Sequence, residues 1–245
     1  SDRGLLKEVI NDYRGAIDEF NIALEKNPNS VWALNRRGNA YYEIDDYKNA
    51  IIDYTAAIKL DSNYVYAYRN RGFSKYYLED YNGAIKDYNK AIELNNCDSW
   101  TYVNRGLAKY CLNDYHGAIA DYNEAIELDS EYSYAFNCRG LAKYYLNDNL
   151  GAIEDFNIAI KLNTKYSDAY NNRGWVKSVL KQYQAAINDF DMAIKFDAKN
   201  KYAFYNRGIA KISVGNKESG CLDLSKAGEL GYIEAYDEIQ KQCKY

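Results

Sequence analysis

Two columns of opposite charge run through this chain at one fixed spacing. Arginine stands at Arg3, Arg37, Arg71, Arg105, Arg139, Arg173 and Arg207, and a carboxylate follows each at Glu19, Asp53, Asp87, Asp121, Asp155, Asp189 and Asp223. Such columns can bind a row of anions, or they can pair with each other and fix the register of the elements that carry them. Their equal recurrence favours self-pairing, with Lys7, Lys75, Lys109, Lys143, Lys177 and Lys211 on the same side as the arginines. A third series is neutral: Asn70, Asn104, Asn172 and Asn206, interrupted by Arg36 and Cys138. Each amide offers a donor and an acceptor, which matches one peptide unit of an extended chain.

Little else invites chemistry. The cysteines are Cys97, Cys111, Cys138, Cys221 and Cys243, none in a C-x-x-C pair, and His116 is the single histidine. That leaves no set of ligands for a tetrahedral metal site. His116 reads as a solvated residue ahead of a helix. No nucleophile has an evident base, and no glycine-rich phosphate loop follows a strand. The expectation is therefore no catalytic residue, no metal and no cofactor. With 31 basic against 35 acidic residues the net charge is −4, and no basic stripe suits a nucleic-acid backbone. No apolar run approaches the ~18 residues of a membrane span. No leader segment is recognisable; the compartment stays open, with the cytoplasm favoured. Apolar residues make up 47% of the chain, enough to build a core.

The elements that position these residues follow from a repeat. Glycine recurs every 34 residues at Gly4, Gly38, Gly72, Gly106, Gly140, Gly174 and Gly208. Two alanine series keep the same step, beginning at Ala16 and Ala23, with a ring between them at Phe20, Tyr54, Tyr88, Tyr122, Phe156 and Phe190. In the unit starting at Trp100 the spacing predicts one helix over 100–112 and a second over 115–128, with Asn113-Asp114 as the turn. Ala118, Tyr122 and Ala125 then fall on one face of the second helix. Small residues let facing helices approach, and the ring fills the space beside them.

These residues resemble the tetratricopeptide repeat over the whole chain. Numbering each unit with its glycine as position 8, rings occupy position 4 (Tyr68, Tyr102, Phe136, Tyr170, Phe204) and alanines occupy positions 20 and 27. Arginine replaces the family's leucine at position 7, and the closing proline survives only as Pro28. The resemblance implies an all-α, right-handed α-solenoid of stacked helix-turn-helix repeats. The expected organisation is a single solenoid over 1–245. It starts with a partial repeat over 1–30 and continues with repeats over 31–64, 65–98, 99–132, 133–166, 167–200 and 201–231. A capping helix over 232–245 closes it, with Tyr236, Ile239 and Cys243 on one side.

The resemblance also implies that positions 2, 6, 9 and 13 of the first helix line a concave groove. There Asn70, Asn104, Asn172 and Asn206 stand beside Tyr66, Trp100, Tyr134 and Tyr202 at position 2, and beside Phe73, Leu107, Leu141 and Trp175 at position 9. The bland alternative is that the asparagines bond to neighbouring helices or to water. Few charges are expected in the groove. The functional expectation is a protein–protein scaffold that holds an extended or helical segment of a partner. The alternatives are a recognition arm of a larger enzyme, or a solenoid that self-assembles through its open first repeat. A monomer is otherwise expected, without nucleic acid or membrane insertion. Cys221 and Cys243 fall on neighbouring helices, with two buried thiols as the default and a disulfide as the alternative.

Overall fold

The computed structural model describes residues 2–95 and 98–243, without the side chain of Asp2. Cys97 and the last two positions assigned to the capping helix, 244 and 245, lie outside the described residues. The described residues are all-α, and they fall into two compact units that meet in sequence between Leu128 and Asp129.

The first unit consists of four helix pairs: α1 (Asp2–Val9) with α2 (Tyr13–Lys26), α3 (Val31–Glu43) with α4 (Tyr47–Leu60), α5 (Val65–Tyr77) with α6 (Tyr81–Leu94), and α7 (Ser99–Cys111) with α8 (Tyr115–Leu128). The second holds α9 (Ser133–Tyr145) with α10 (Asn149–Leu162), α11 (Ser167–Val179) with α12 (Tyr183–Phe196), α13 (Lys201–Ser213) with α14 (Lys217–Glu229), and the final helix α15 (Glu234–Gln242). The 100–112 and 115–128 helices read from the sequence thus lie within one residue of α7 and α8.

Local chemistry sets the punctuation. The residue that reverses the chain inside each pair has a left-handed backbone at Asn11, Asp45, Glu79, Asn113, Asn147, Lys181 and Gly215. Only glycine, and to a lesser degree Asn or Asp, takes that conformation cheaply. One residue later an aspartate caps the second helix. The side chains of Asp12, Asp46, Asp80, Asp114 and Asp148 accept the backbone N–H three residues on, satisfying a donor that the helix leaves orphaned.

The glycine and ring columns lock the two helices of a pair together. A Cβ on Gly38 would lie 2.6 Å from the Tyr54 ring, and one on Gly106 2.5 Å from the Tyr122 ring. The rings are fully buried between the two alanines of their own helix. Within each unit successive first helices also touch each other: α3 with α5, α5 with α7, α9 with α11, and α11 with α13. Among the described residues no pair of second helices makes comparable contact. The first helices therefore line the inside of the bend in each unit.

The final helix lays Tyr236 and Cys243 of its expected side on α14. Ala235 is the residue α15 buries, while Tyr236 is 48% exposed and lays its ring over Gly228. The Tyr236 ring can lie on α14 because Gly228 leaves no side chain in the way.

Candidate functional site

The arginine and carboxylate columns pair within each repeat. Arg37, Arg71, Arg105, Arg139, Arg173 and Arg207 each bind the carboxylate sixteen residues on, with Nη2–Oδ1 distances of 2.5 to 2.6 Å. The lysine one turn later takes the second oxygen, as Lys75, Lys109, Lys143, Lys177 and Lys211 do at 2.7 to 2.8 Å. The remaining arginine nitrogen reaches back to the previous second helix: Arg37 to Asn21, Arg71 to Thr55, Arg105 to Asn89, Arg173 to Asn157 and Arg207 to Asp191. Each of these five arginines thus ties three helices, and where position 4 carries a ring the guanidinium lies against it, as Arg105 lies on Tyr102. These cations are spent on structure and offer no row of anion sites. Arg3, which is exposed, makes no such pair with Glu19 among the described residues, and open water competes for both groups.

The inner face is built from the first helices. In the first unit Tyr66 is 59% exposed beside half-buried Asn70, Phe73 and Trp100. Phe73 stacks on Tyr42 at 5.3 Å and meets Trp100 edge-on at 5.0 Å. Asn39, Tyr42, Glu43, Arg69, Asn70, Phe73 and Trp100 line an open cavity of about 240 Å³. Asn104 is only 5% exposed, and its Nδ2 donates to the Trp100 carbonyl one turn back. Leu107 is half-buried further along α7. In the second unit Tyr134 and Tyr202 are exposed, and Leu141, Asn172, Trp175 and Asn206 are half-buried. Trp175 packs on Tyr144 at 4.3 Å.

Three of the asparagines follow, with their donor half, the alternative of bonding to neighbouring helices. Asn70 donates from Nδ2 to Asn39 and, at 3.4 Å, to Asn35. Asn172 donates to Asn137 at 3.0 Å, and Asn206 to Asn171 at 3.0 Å. A position 6 amide therefore donates to the position 5 amide of the preceding repeat. The position 5 members, Asn35, Asn137 and Asn171, were not read as partners; two asparagine columns offset by one residue were the available signal. The donor half of these amides is engaged within the chain. Among the described residues nothing donates to Oδ1 of Asn70, Asn104 or Asn206, so the acceptor half stays available. Cys138, which interrupts the series, is buried, and burial pushes its thiol up to about 12.

Charge on this face exceeds the expectation. Arg69 lies 4.8 Å over the Trp100 ring and pairs with Asp98 at 3.1 Å. Arg36 pairs with Glu8 at 3.2 Å. Burial raises the Glu8 carboxyl above its ordinary value, and Arg36 opposes that rise. Arg69 and Glu8 each occur once in their columns, so repetition gave no sign of them, and Arg36 showed only as a break in the asparagine series.

Family models described as tetratricopeptide repeat match residues 31–64, 65–96, 101–132 and 167–200. The chain belongs to the tetratricopeptide repeat family. Repeats of this family are protein-interaction scaffolds. No curated protein matches the chain by sequence. Among solved structures, a tetratricopeptide repeat protein from Parabacteroides merdae is similar with a TM-score of 0.80 at 19% identity, over 99% of this chain and 97% of that one. YrrB, described as a tetratricopeptide repeat protein with an unusual peptide-binding site, gives 0.61 at 21% identity over 75% of this chain and 95% of its own. PilF of Pseudomonas aeruginosa gives 0.73 at 18% identity, over 85% and 96%. These likenesses establish the tetratricopeptide fold. Among the described residues no helix is long and apolar enough to cross a membrane.

Proposed function

We propose that this tetratricopeptide chain acts by binding, holding an extended segment of a partner protein on the inner face of its first helices. The observation that carries the reading is the coincidence of exposed rings with unused amide acceptors. Tyr66 lies beside Asn70 in the first unit, and Tyr202 lies beside Asn206 in the second. Rings supply contact area at low entropic cost, and each free Oδ1 can accept a backbone N–H of an extended peptide. Leu107, Tyr134, Leu141, Asn104 and Asn172 contribute wall and rim. YrrB, with its peptide-binding site, lends the reading a precedent in the same fold. The chain works as a monomer in this reading.

The test is selection from a random displayed-peptide library, followed by calorimetry with synthetic winners. A saturable complex is expected, lost when Tyr66→Ala removes the ring of the first unit or Tyr202→Ala that of the second, while the circular dichroism stays unchanged. Equal binding by both variants would place the ligand elsewhere.

A further inference from the structure

The twelfth position of the repeat carries a ring in four successive units, Tyr42, Tyr76, Tyr110 and Tyr144, and then breaks. The next member is Ser178. Tyr42, Tyr76 and Tyr144 each fill a slot between their own first helix and the next one. Tyr42 stacks on Phe73, and Tyr144 packs on Trp175, the position 9 residue of the following repeat. The hydroxyl end reaches position 13 of that repeat. Tyr76 Oη lies 3.6 Å from Cys111 Sγ, and the Tyr42 ring meets the Tyr77 ring edge-on at 5.7 Å.

At Ser178 the slot lacks its ring. A cavity of about 410 Å³ opens there between α11 and α13, bordered by Trp175, Val179, Tyr183, Ile209 and Ser213, with Glu238 of α15 at its edge. Its apolar walls are those that hold a ring elsewhere in the chain. A dry pocket of about 150 Å³ accepts benzene, so space is ample. Two polar atoms stand ready. Ser178 Oγ is buried without a hydrogen-bond partner. Ser213 Oγ donates to the Ile209 carbonyl at 2.9 Å, which leaves its oxygen free to accept. Ser213 occupies the same position as Cys111 and Tyr77, where the chain's own tyrosines end.

We propose that this slot takes a tyrosine side chain from the bound partner segment, completing the ring column that the chain leaves open at Ser178. The inference rests on the reading that the inner face holds such a segment, and it adds the residue type that anchors it. The phenol enters between Trp175 and Ile209, with its hydroxyl donating to Ser213.

The test uses the full chain and p-cresol, the tyrosine side chain alone, followed by the amide spectrum. Saturable shifts are expected at the Trp175 indole and the Asn206 side-chain amide, with toluene several-fold weaker. Ser178→Tyr refills the slot with the chain's own ring, melts no lower than wild type, and abolishes the shifts. Ser213→Ala brings p-cresol down to the affinity of toluene. Absence of saturation, or shifts that survive Ser178→Tyr, would overturn the proposal. So would a concentration-dependent dimer that Ser178→Tyr dissolves, because the occupant would then be a second copy of this chain. Peptide binding indifferent to Ser178→Tyr sinks the slot and spares the scaffold. Cresol binding in a chain that selects no peptide does the reverse.

Discussion

Arg105 and Asp121 face each other across the α7–α8 pair with three close contacts, Nε to both carboxylate oxygens at 3.0 and 3.1 Å and Nη2 to Oδ1 at 2.5 Å. The carboxylate is buried, and Lys109 closes its other side at 2.8 Å. A buried pair adds little net stability over a well-packed apolar pair, yet breaking one partner costs about 3–5 kcal/mol. Asp121→Ala strands both Arg105 and Lys109 and should lower stability by that order in urea melts. Arg105→Leu with Asp121→Leu removes the stranded guanidinium, and Lys109, still partly exposed, can turn to water. The double variant is expected to be the more stable of the two.

The charge columns were legible because one kind of residue recurs at one step from unit to unit. The glycine, alanine and ring columns share that property, so the fold followed directly. What escaped notice lies off that grid. The Asn35–Asn70, Asn137–Asn172 and Asn171–Asn206 links span thirty-five residues, one more than the repeat, and join two columns of the same residue. Arg69 and Glu8 occur singly, and their placement depends on Trp100 and Arg36 coming near in space. The slot at Ser178 is a missing ring, and a periodic reading registers what repeats more readily than what stops.

Gly106 and Gly215 are glycines for different reasons, and alanine should separate them. A Cβ at Gly106 would sit 2.5 Å from the Tyr122 ring, which is itself fully enclosed. Overpacking of this kind costs roughly 1–3 kcal/mol. Gly215 has open space around it but a φ of +89°, so alanine there pays only the left-handed backbone penalty of about 1–2 kcal/mol. In denaturation, Tyr122→Ala should relieve the packing clash introduced by Gly106→Ala, giving non-additive losses. It should leave the cost of Gly215→Ala unchanged.

Lys181 and Gln182 make the weakest turn of the series. Lys181 carries a φ of 59° without the side-chain chemistry that favours it, and Gln182 caps α12 with no side-chain hydrogen bond. At the equivalent sites Asn113 and Asp114 supply both devices. Lys181→Asn with Gln182→Asp should therefore stabilise the chain, the cap alone contributing about 1 kcal/mol. The thermal midpoint should rise, with Gln182→Asp carrying a measurable share on its own.

Cys221 and Cys243 are joined by a disulfide between α14 and the end of α15, with Cα atoms 5.9 Å apart. This replaces the default of two free thiols. Titration of the unfolded chain should count two more thiols after reduction than before it. In the folded chain Cys138 should react slowly at pH 8, because burial holds its thiol near 12 and leaves almost no thiolate. Closing a loop of 22 residues restricts the unfolded chain by about 3 kcal/mol. Reduction should thus lower the melting temperature and loosen α15 first.

Asn206 and Asn171 offer a direct check on how the inner face is preorganised. Asn206 Nδ2 donates to Asn171 Oδ1 at 3.0 Å between α13 and α11, which holds the Asn206 amide in one orientation. Asn171→Ala removes the acceptor from a partly buried bond and should cost about 0.5–1.5 kcal/mol. It also frees the Asn206 amide to rotate, so its two side-chain N–H resonances should sharpen toward solvent-like positions and exchange faster. If Oδ1 of Asn206 grips a peptide N–H, affinity must fall as well, since the ligand then has to order an amide that the fold had already fixed. Asn171→Asp keeps the acceptor and should restore both the resonances and the affinity. Restored resonances without restored binding would assign Asn206 to the architecture of the face alone.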